Sequence, residues 1–250
     1  MMKILGVIPA RYASTRFPGK PLALVGGKPM IQCVYERAKQ ARMLTDLCVA
    51  TDDERIASVV EGFGGQVFMT AEDHHSGSDR IAEVVGSYLP NTEIVVNIQG
   101  DEPLIAPDAI DLAVSILRTD PNAEVSTLAR PITSVSELEN PNIVKVVVAQ
   151  DQTALYFSRS PIPFCRDRKT HEEWLKLFPY LKHLGVYVYR REALLEFVDW
   201  PPGSLERIEQ LEQLRFLEHG VKIHVARTEY DSRCVDTPED LEALNRDLNR

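Results

Sequence analysis

Short β-rich runs alternate with amphipathic helical stretches through the first half of this 250-residue chain, and that alternation restricts the fold more than any other feature. KILGVIP (3–9) reads as a buried strand, and MIQCVYERAKQAR (30–42) carries Ile31, Val34, Tyr35 and Ala38 at helical spacing. DLCVAT (46–51) is the next strand, after which Asp52 or Asp53 can cap a helix over ERIASVVEGF. QVFMT (66–70) and EIVVNIQ (93–99) continue the strands, and PDAIDLAVSILR (107–118) opens a helix on a first-turn proline. This rhythm predicts right-handed βαβ crossovers and a mostly parallel sheet. Ligands on such sheets sit beyond the carboxyl ends of the strands.

The second half is less regular. EVSTLARPI, NIVKVVVAQ, the start of TALYFSRSPIPF, HLGVYVYR (183–190) and KIHVAR read as strands. SLERIEQLEQLRFLEHG (204–220) reads as one long helix stopped by Gly220, and TPEDLEALNRDL as a final helix. Residues 161–182, broken by prolines, are expected to form an irregular arm or flap. The length suits a single α/β domain over 1–250 with that arm as its appendage.

Directly after the first strand comes IPARYASTRFPGKPL (8–22), which holds Arg11, Arg16 and Lys20 and no acid. The first acidic residue is Glu36, although the chain has 37 Asp and Glu against 28 Lys and Arg, a formal charge of −9. Cationic side chains and backbone N–H groups on a strand-to-helix turn make an anion cradle. A solvated connector is the competing reading, and the place of the loop at a strand end favours the cradle. Neither common phosphate motif is present. GGKP (26–29) has proline where a Walker A loop needs Ser or Thr, and GFGGQV (62–67) follows a helix and lacks the last glycine of a dinucleotide fingerprint.

Net negative charge argues against nucleic acid as a partner. No apolar run reaches the ~18 residues of a membrane span, so no stable membrane association is expected. The N-terminus lacks the h-region of a secretory signal. Cys33, Cys48, Cys165 and Cys234 are scattered without a CxxC pair, which fits a reducing cytoplasm and suggests neither zinc nor a disulfide frame.

Two acidic positions stand out. Asp101 in VVNIQGDEP (95–103) follows a buried strand, either as a ligand at the sheet edge or as the cap of the turn that Pro103 enforces. In RCVDTPEDLEAL (233–244), Thr237, Pro238 and Asp240 already supply cap, first turn and third position of a helix, which leaves Asp236 for another role. Two carboxylates at one strand edge would suit Mg²⁺. His74 and His75 sit in a Ser/Gly turn, His183 begins a strand, and no metal-ligand spacing of histidines appears. Glu209, Glu212 and Gln213 read, from the helical pattern alone, as a solvated polar face.

Seven separated motifs in order, IPARYASTRFPGKPL, HHSGSDR, NIQGDEP, ALYFSR, KHLGVYVYR, LERIEQLEQLRFLEHG and VDTPEDL, closely resemble those of the 3-deoxy-D-manno-octulosonate (Kdo) cytidylyltransferases, the CMP-Kdo synthetase family. The resemblance runs from residue 3 to about 244, with Ser78 where threonine is common and Phe17 where leucine is. It implies a nucleotide-diphospho-sugar-transferase-like (Rossmann-like) α/β fold and a homodimer. It also implies coupling of CTP to Kdo, with release of pyrophosphate and CMP-Kdo for lipopolysaccharide synthesis. By the same resemblance Arg11 and Lys20 bind the triphosphate, with Ala10, Ser76, Arg80 and Gln99 near the nucleoside. Asp101 and Asp236 hold Mg²⁺ and, with Arg11 and Lys20, are the catalytic set. Arg159, His183, Tyr187, Glu212 and Gln213 line the sugar-acid site. Two other readings stand beside it: a cytidylyltransferase for a sialic-acid-like or amino-Kdo ulosonate, and a nucleotide-binding regulator without activity.

Overall fold

The computed structural model describes residues 2–13, 17–231 and 233–248, so Arg16 of the basic loop lies outside the described residues. In chain order the first half contains β1 (Ile4–Ala10), a hairpin of β2 (Leu24–Val25) and β3 (Lys28–Pro29), α1 (Met30–Ala38), β4 (Asp46–Thr51), α2 (Glu54–Gly62), β5 (Val67–Met69), α3 (Gly77–Glu83), β6 (Ile94–Asn97) and α4 (Pro107–Thr119). The second half contains β7 (Val125–Pro131), α5 (Val135–Glu139), β8 (Lys145–Val148), β9 (Ala154–Ser158), α6 (His171–Leu177), β10 (Leu181–Arg190), α7 (Arg191–Asp199), α8 (Ser204–Glu209), α9 (Gln213–Glu218), β11 (Ile223–Arg227) and α10 (Pro238–Leu248).

The main sheet runs β11-β7-β10-β6-β1-β4-β5, and along this path only β10 opposes its neighbours. The mostly parallel α/β sheet expected from the alternation is therefore present. β8 and β9 extend it as an antiparallel pair beside β10. β1 is buried on both faces, as an interior parallel strand should be. Ile4 and Ile8 pack with α1 and α4 on one side, while Leu5 and Val7 pack with α3, α7 and α9 on the other. The capping expected for α2 is observed, with the Asp53 carboxylate accepting from the Arg55 N–H.

Three expectations are corrected. The arm at 161–182 contains α6, capped by Thr170 and Glu173, and its Trp174 packs with Tyr180, Leu138 and Ile132 in a small core. β10 also begins two residues earlier than expected, at Leu181. The helix expected over 204–220 is broken into α8 and α9, because Gln210 takes φ 54, ψ 52 in the left-handed region. The Arg159 guanidinium accounts for the break. Its Nε donates to the Glu209 carbonyl at 2.7 Å and one Nη to that of Gln210 at 3.2 Å. Carbonyls satisfied from outside need no helical partner four residues on.

Candidate active site

The basic loop leaves β1 at Ala10, which is buried, and turns outward at Arg11, which is exposed. It closes where the Gly19 N–H donates to the Tyr12 carbonyl at 2.9 Å. Gly19 sits at φ 72, and a Cβ there would press on the Tyr12 ring at 3.2 Å, so this turn needs glycine. Arg55, held by Asp53, covers the same ring with its guanidinium carbon 3.3 Å from the centroid. The next residue is Lys20, and it reaches across the sheet edge.

Lys20 Nζ lies 2.7 Å from Asp101 Oδ2 and 3.5 Å from Asp236 Oδ1. The two carboxylates, remote in sequence, therefore converge on one ammonium. Their loops are tied directly as well, by the Val235 N–H donating to the Asp101 carbonyl at 2.9 Å. Gly100 lets its loop lie over β1, since a Cβ there would come within 3.1 Å of the Pro9 carbonyl. The Asp101 carboxylate accepts from the Lys20 ammonium at 2.7 Å. The cap of α10 is the Thr237–Asp240 pair read from the sequence, with Asp240 N donating to Thr237 Oγ1 at 3.2 Å. Sequence reasoning missed Glu102. It is 1% exposed and accepts from the Tyr230 hydroxyl at 3.4 Å and the Cys234 thiol at 3.5 Å, a further tie between the two acid-bearing loops.

Pro9 and Gln99, each two residues before Arg11 and Asp101, line a cavity of about 280 Å³. Tyr187, Glu212 and Gln213 line it from the other side. Gln99 is fixed by donating to the Gly185 carbonyl at 3.1 Å, and Tyr187 stacks on Tyr189 with ring centroids 5.8 Å apart. Glu212 accepts from the Ser78 hydroxyl at 3.0 Å. Burial pushes its carboxyl above the usual range, and the Ser78 hydrogen bond opposes that only in part. The solvated polar face expected from the helical pattern is thus wrong for Glu212 and Gln213, because the break at Gln210 turns both inward.

A raised carboxyl has a consequence for stability. The folded protein holds the Glu212 proton more tightly than the unfolded chain, so the associated stability is full at acid pH and lost as pH rises through the raised folded value. Glu212→Gln is expected to unfold at higher denaturant than the parent at pH 8 and at nearly the same denaturant at pH 4.5. Urea titrations at the two pH values check this. A variant less stable at pH 8 would show Glu212 to be a stabilising charge.

His183 stands beside the cavity residue Tyr187, with ring centroids 5.2 Å apart, and edge-on to Phe157. Although some of its surface is accessible, desolvation pushes its imidazole down to about 3, so it is neutral at neutral pH. Its Nε2 lies 2.9 Å from Thr127 Oγ1, and that hydroxyl is within bonding distance of the Leu184 and Val186 carbonyls. Carbonyls only accept, so the Thr127 proton goes to one of them and His183 donates through Nε2–H.

Three expected residues lie elsewhere. Ser76 caps α3 through Asp79 and lines a second cavity of about 440 Å³, which shares Gln210, Leu211 and Glu212 with the first. Arg80 is fully buried, pairs with Asp52 at 2.7 Å and donates to Thr70 and the Ala71 carbonyl, and it lines neither cavity. The Arg159 guanidinium is engaged by backbone carbonyls. Besides Glu209 and Gln210 it donates to the Pro141 carbonyl at 3.0 Å, so it clamps the α8–α9 bend that carries Glu212 and Gln213. Four of the five sugar-site expectations, His183, Tyr187, Glu212 and Gln213, are gathered at or beside one cavity.

The Cytidylyltransferase family model matches residues 5–223. The chain is 54% identical over 244 residues to the 3-deoxy-manno-octulosonate cytidylyltransferase of Solibacter usitatus, covering 98% of this chain and 94% of that one. It is 51% identical over 249 residues to the 8-amino-3,8-dideoxy-manno-octulosonate cytidylyltransferase of Shewanella sp. strain ANA-3, covering 99% of each. Among solved structures, CMP:2-keto-3-deoxy-manno-octonic acid synthetase complexed with CTP superposes with a TM-score of 0.91 at 44% identity, over 99% of this chain and 98% of the other.

Proposed function

The chain belongs to the CMP-Kdo synthetase family of cytidylyltransferases, and from that membership we propose how its own residues carry out the transfer of a cytidylyl group from CTP to Kdo. The observation that carries the reading is the convergence of Asp101 and Asp236 on Lys20 beside the cavity lined by Gln99, Tyr187, Glu212 and Gln213. CTP brings about four negative charges, and a protein of net charge −9 needs a local cation set to receive them. Arg11 and Lys20 supply it, and the family membership assigns Ala10, Ser76, Arg80 and Gln99 to the nucleoside, Ser76 from the second cavity and Arg80 from the interior.

The acid pair fits Mg²⁺. Two carboxylates already holding one cation between them are hard oxygen donors, the type that Mg²⁺ takes together with water and phosphate oxygens. Among the described residues no group of three or more metal-binding side chains occurs, so phosphate oxygens would complete the shell. Asp101 and Asp236 would hold the Mg²⁺, which would supply neutralisation of the charge developing on the phosphates. The anomeric hydroxyl of Kdo attacks the α-phosphorus in line. The new oxygen–phosphorus bond forms as the bond to pyrophosphate breaks, and the hydroxyl proton leaves to solvent. The side chains contribute position and charge, which suffices for this class of chemistry. Tyr187, Glu212, Gln213 and His183 hold the sugar, and Arg159 holds the bend that presents them.

Exposed apolar side chains at Leu155, Phe164 and Leu177 suit a homodimer made through the second half of the chain, which light scattering tests. Among the described residues no helix is long and apolar enough to cross a membrane, and none of the four cysteines is in a disulfide. Both features accord with work in a reducing cytoplasm, where the product would serve lipopolysaccharide synthesis.

Identities of 54% and 51% do not separate Kdo from its 8-amino analogue, so the amino sugar stands as a second reading. Pyrophosphate release from CTP should be measured with Kdo, 8-amino-Kdo and a sialic acid. Kdo is expected to give the highest kcat/KM. CTP should exceed UTP by about 10²-fold or more, because a hydrogen-bonding base site rejects reversed donors. Comparable rates with UTP would overturn the nucleotide assignment. CTP binding without turnover of any sugar would support the inactive regulator.

A further inference from the structure

Strand β6 brings to the cavity one more polar side chain, which the sequence pattern concealed. Asn97 ends β6 and faces Tyr187 across the antiparallel pairing with β10. It is 5% exposed, within a strand whose Ile94, Val95 and Val96 are fully buried. An amide in such a place costs free energy unless its hydrogen bonds are made. Its side chain and that of Ser78 both lie near the Tyr189 hydroxyl. Among the described residues the Asn97 Oδ1 is buried with no hydrogen-bond partner. The buried hydroxyl of Tyr187 has none either. Asn97 and Tyr187 both line the 280 Å³ cavity.

That volume exceeds a single structural water, which occupies about 30 Å³ in the liquid, by nearly an order of magnitude. Among the described residues the lining includes no lysine, arginine or histidine, and burial favours the neutral form of its carboxylate, Glu212. A phosphate or carboxylate would find no countercharge there. A neutral, hydroxyl-bearing group would find an acceptor at Asn97 and a hydroxyl at Tyr187. We propose that Asn97 Oδ1 accepts a hydrogen bond from a hydroxyl on the polyol part of the sugar acid, making Asn97 a sugar-contacting residue that selects for that hydroxyl. The charged, reacting end of the sugar then faces the Arg11–Lys20 side. This assignment rests on the reading of the cavity as the sugar site.

Asn97→Ala and Asn97→Ser should be assayed with Kdo and with its 4-, 5-, 7- and 8-deoxy analogues, with CTP affinity measured by calorimetry as the check of folding. Both variants are expected to raise the KM for Kdo about tenfold or more and to leave CTP affinity within about twofold. For one deoxy analogue the parent and the variants should have nearly the same KM, because the bond is already missing. If every analogue suffers as much as Kdo from the substitution, or if CTP affinity falls, Asn97 is a structural residue and the proposal is wrong. If Asn97→Ala does not fold, the same pattern is read from Asn97→Ser. If the unmodified protein turns over no ulosonate, the sugar reading itself fails, and that is seen before any variant is made.

Discussion

Asp101→Asn is expected to lower kcat by about 10²-fold or more, Asp236→Asn to do the same, and the double variant to lose little beyond either. Both carboxylates meet Lys20 Nζ, at 2.7 and 3.5 Å, and both are assigned to the same Mg²⁺. Groups that act through one centre lose their function together, so their effects do not multiply. The fold should survive, because partly exposed ion pairs contribute about 0–1 kcal/mol and the Thr237–Asp240 cap of α10 is untouched. Steady-state kinetics over a range of Mg²⁺ concentrations give the result, with each single variant needing more metal for half-maximal rate. Independent losses that multiply in the double variant would place the two acids at separate tasks.

The second large effect is on stability. Lys145 is fully buried, and its ammonium donates to the carbonyls of Asn140 at 2.9 Å, Ile143 at 2.7 Å and Arg159 at 2.5 Å. Burial, with the charge of Arg159 second, pulls it down to about 8, which leaves it mainly charged at neutral pH. Lys145→Met keeps much of the volume and strands three acceptors. At roughly 1 kcal/mol or more for each, the loss is about 3 kcal/mol or more. For a chain of this size that lowers Tm by about 6–12 °C. The variant should also raise the KM for the sugar, because the Arg159 carbonyl and guanidinium anchor the bend before Glu212. Replacing a buried charge by an apolar side chain can be neutral. An unchanged Tm in scanning calorimetry would mean that this is such a case.

Much of this architecture was written in local pattern. β4 occupies the residues assigned to it, α2 starts at its aspartate cap, and α4 opens on Pro107. Asp236 was correctly freed from capping because Thr237 and Asp240 suffice. What was not legible depends on contacts distant in sequence. Leu211, Leu214 and Leu217 keep helical spacing across 204–220, so nothing local shows that Arg159 will take two carbonyls and break the helix. The same distance hid the burial of Arg80 against Asp52 and the meeting of both acids at Lys20. Other omissions did leave traces. Thr170 and Glu173 have the spacing of a capping box before α6, as Ser76 and Asp79 do before α3. Asn97, a lone amide in an apolar strand, is the pattern of a buried polar group with a task.

The ammonium of Lys20 belongs to two ledgers of charge, that of the acid pair and that of the loop assigned to the triphosphate. On the proposed reading, a nucleotide would draw Lys20 toward its phosphates, and Asp101 and Asp236 would then hold a divalent ion as their counter-charge. The two exchanges are halves of one event. Linkage requires the coupling to be reciprocal: the factor by which Mg²⁺ tightens CTP is the factor by which CTP tightens Mg²⁺. One shared side chain would thus make the metal–nucleotide complex, rather than either component alone, the species that this sheet edge recognises.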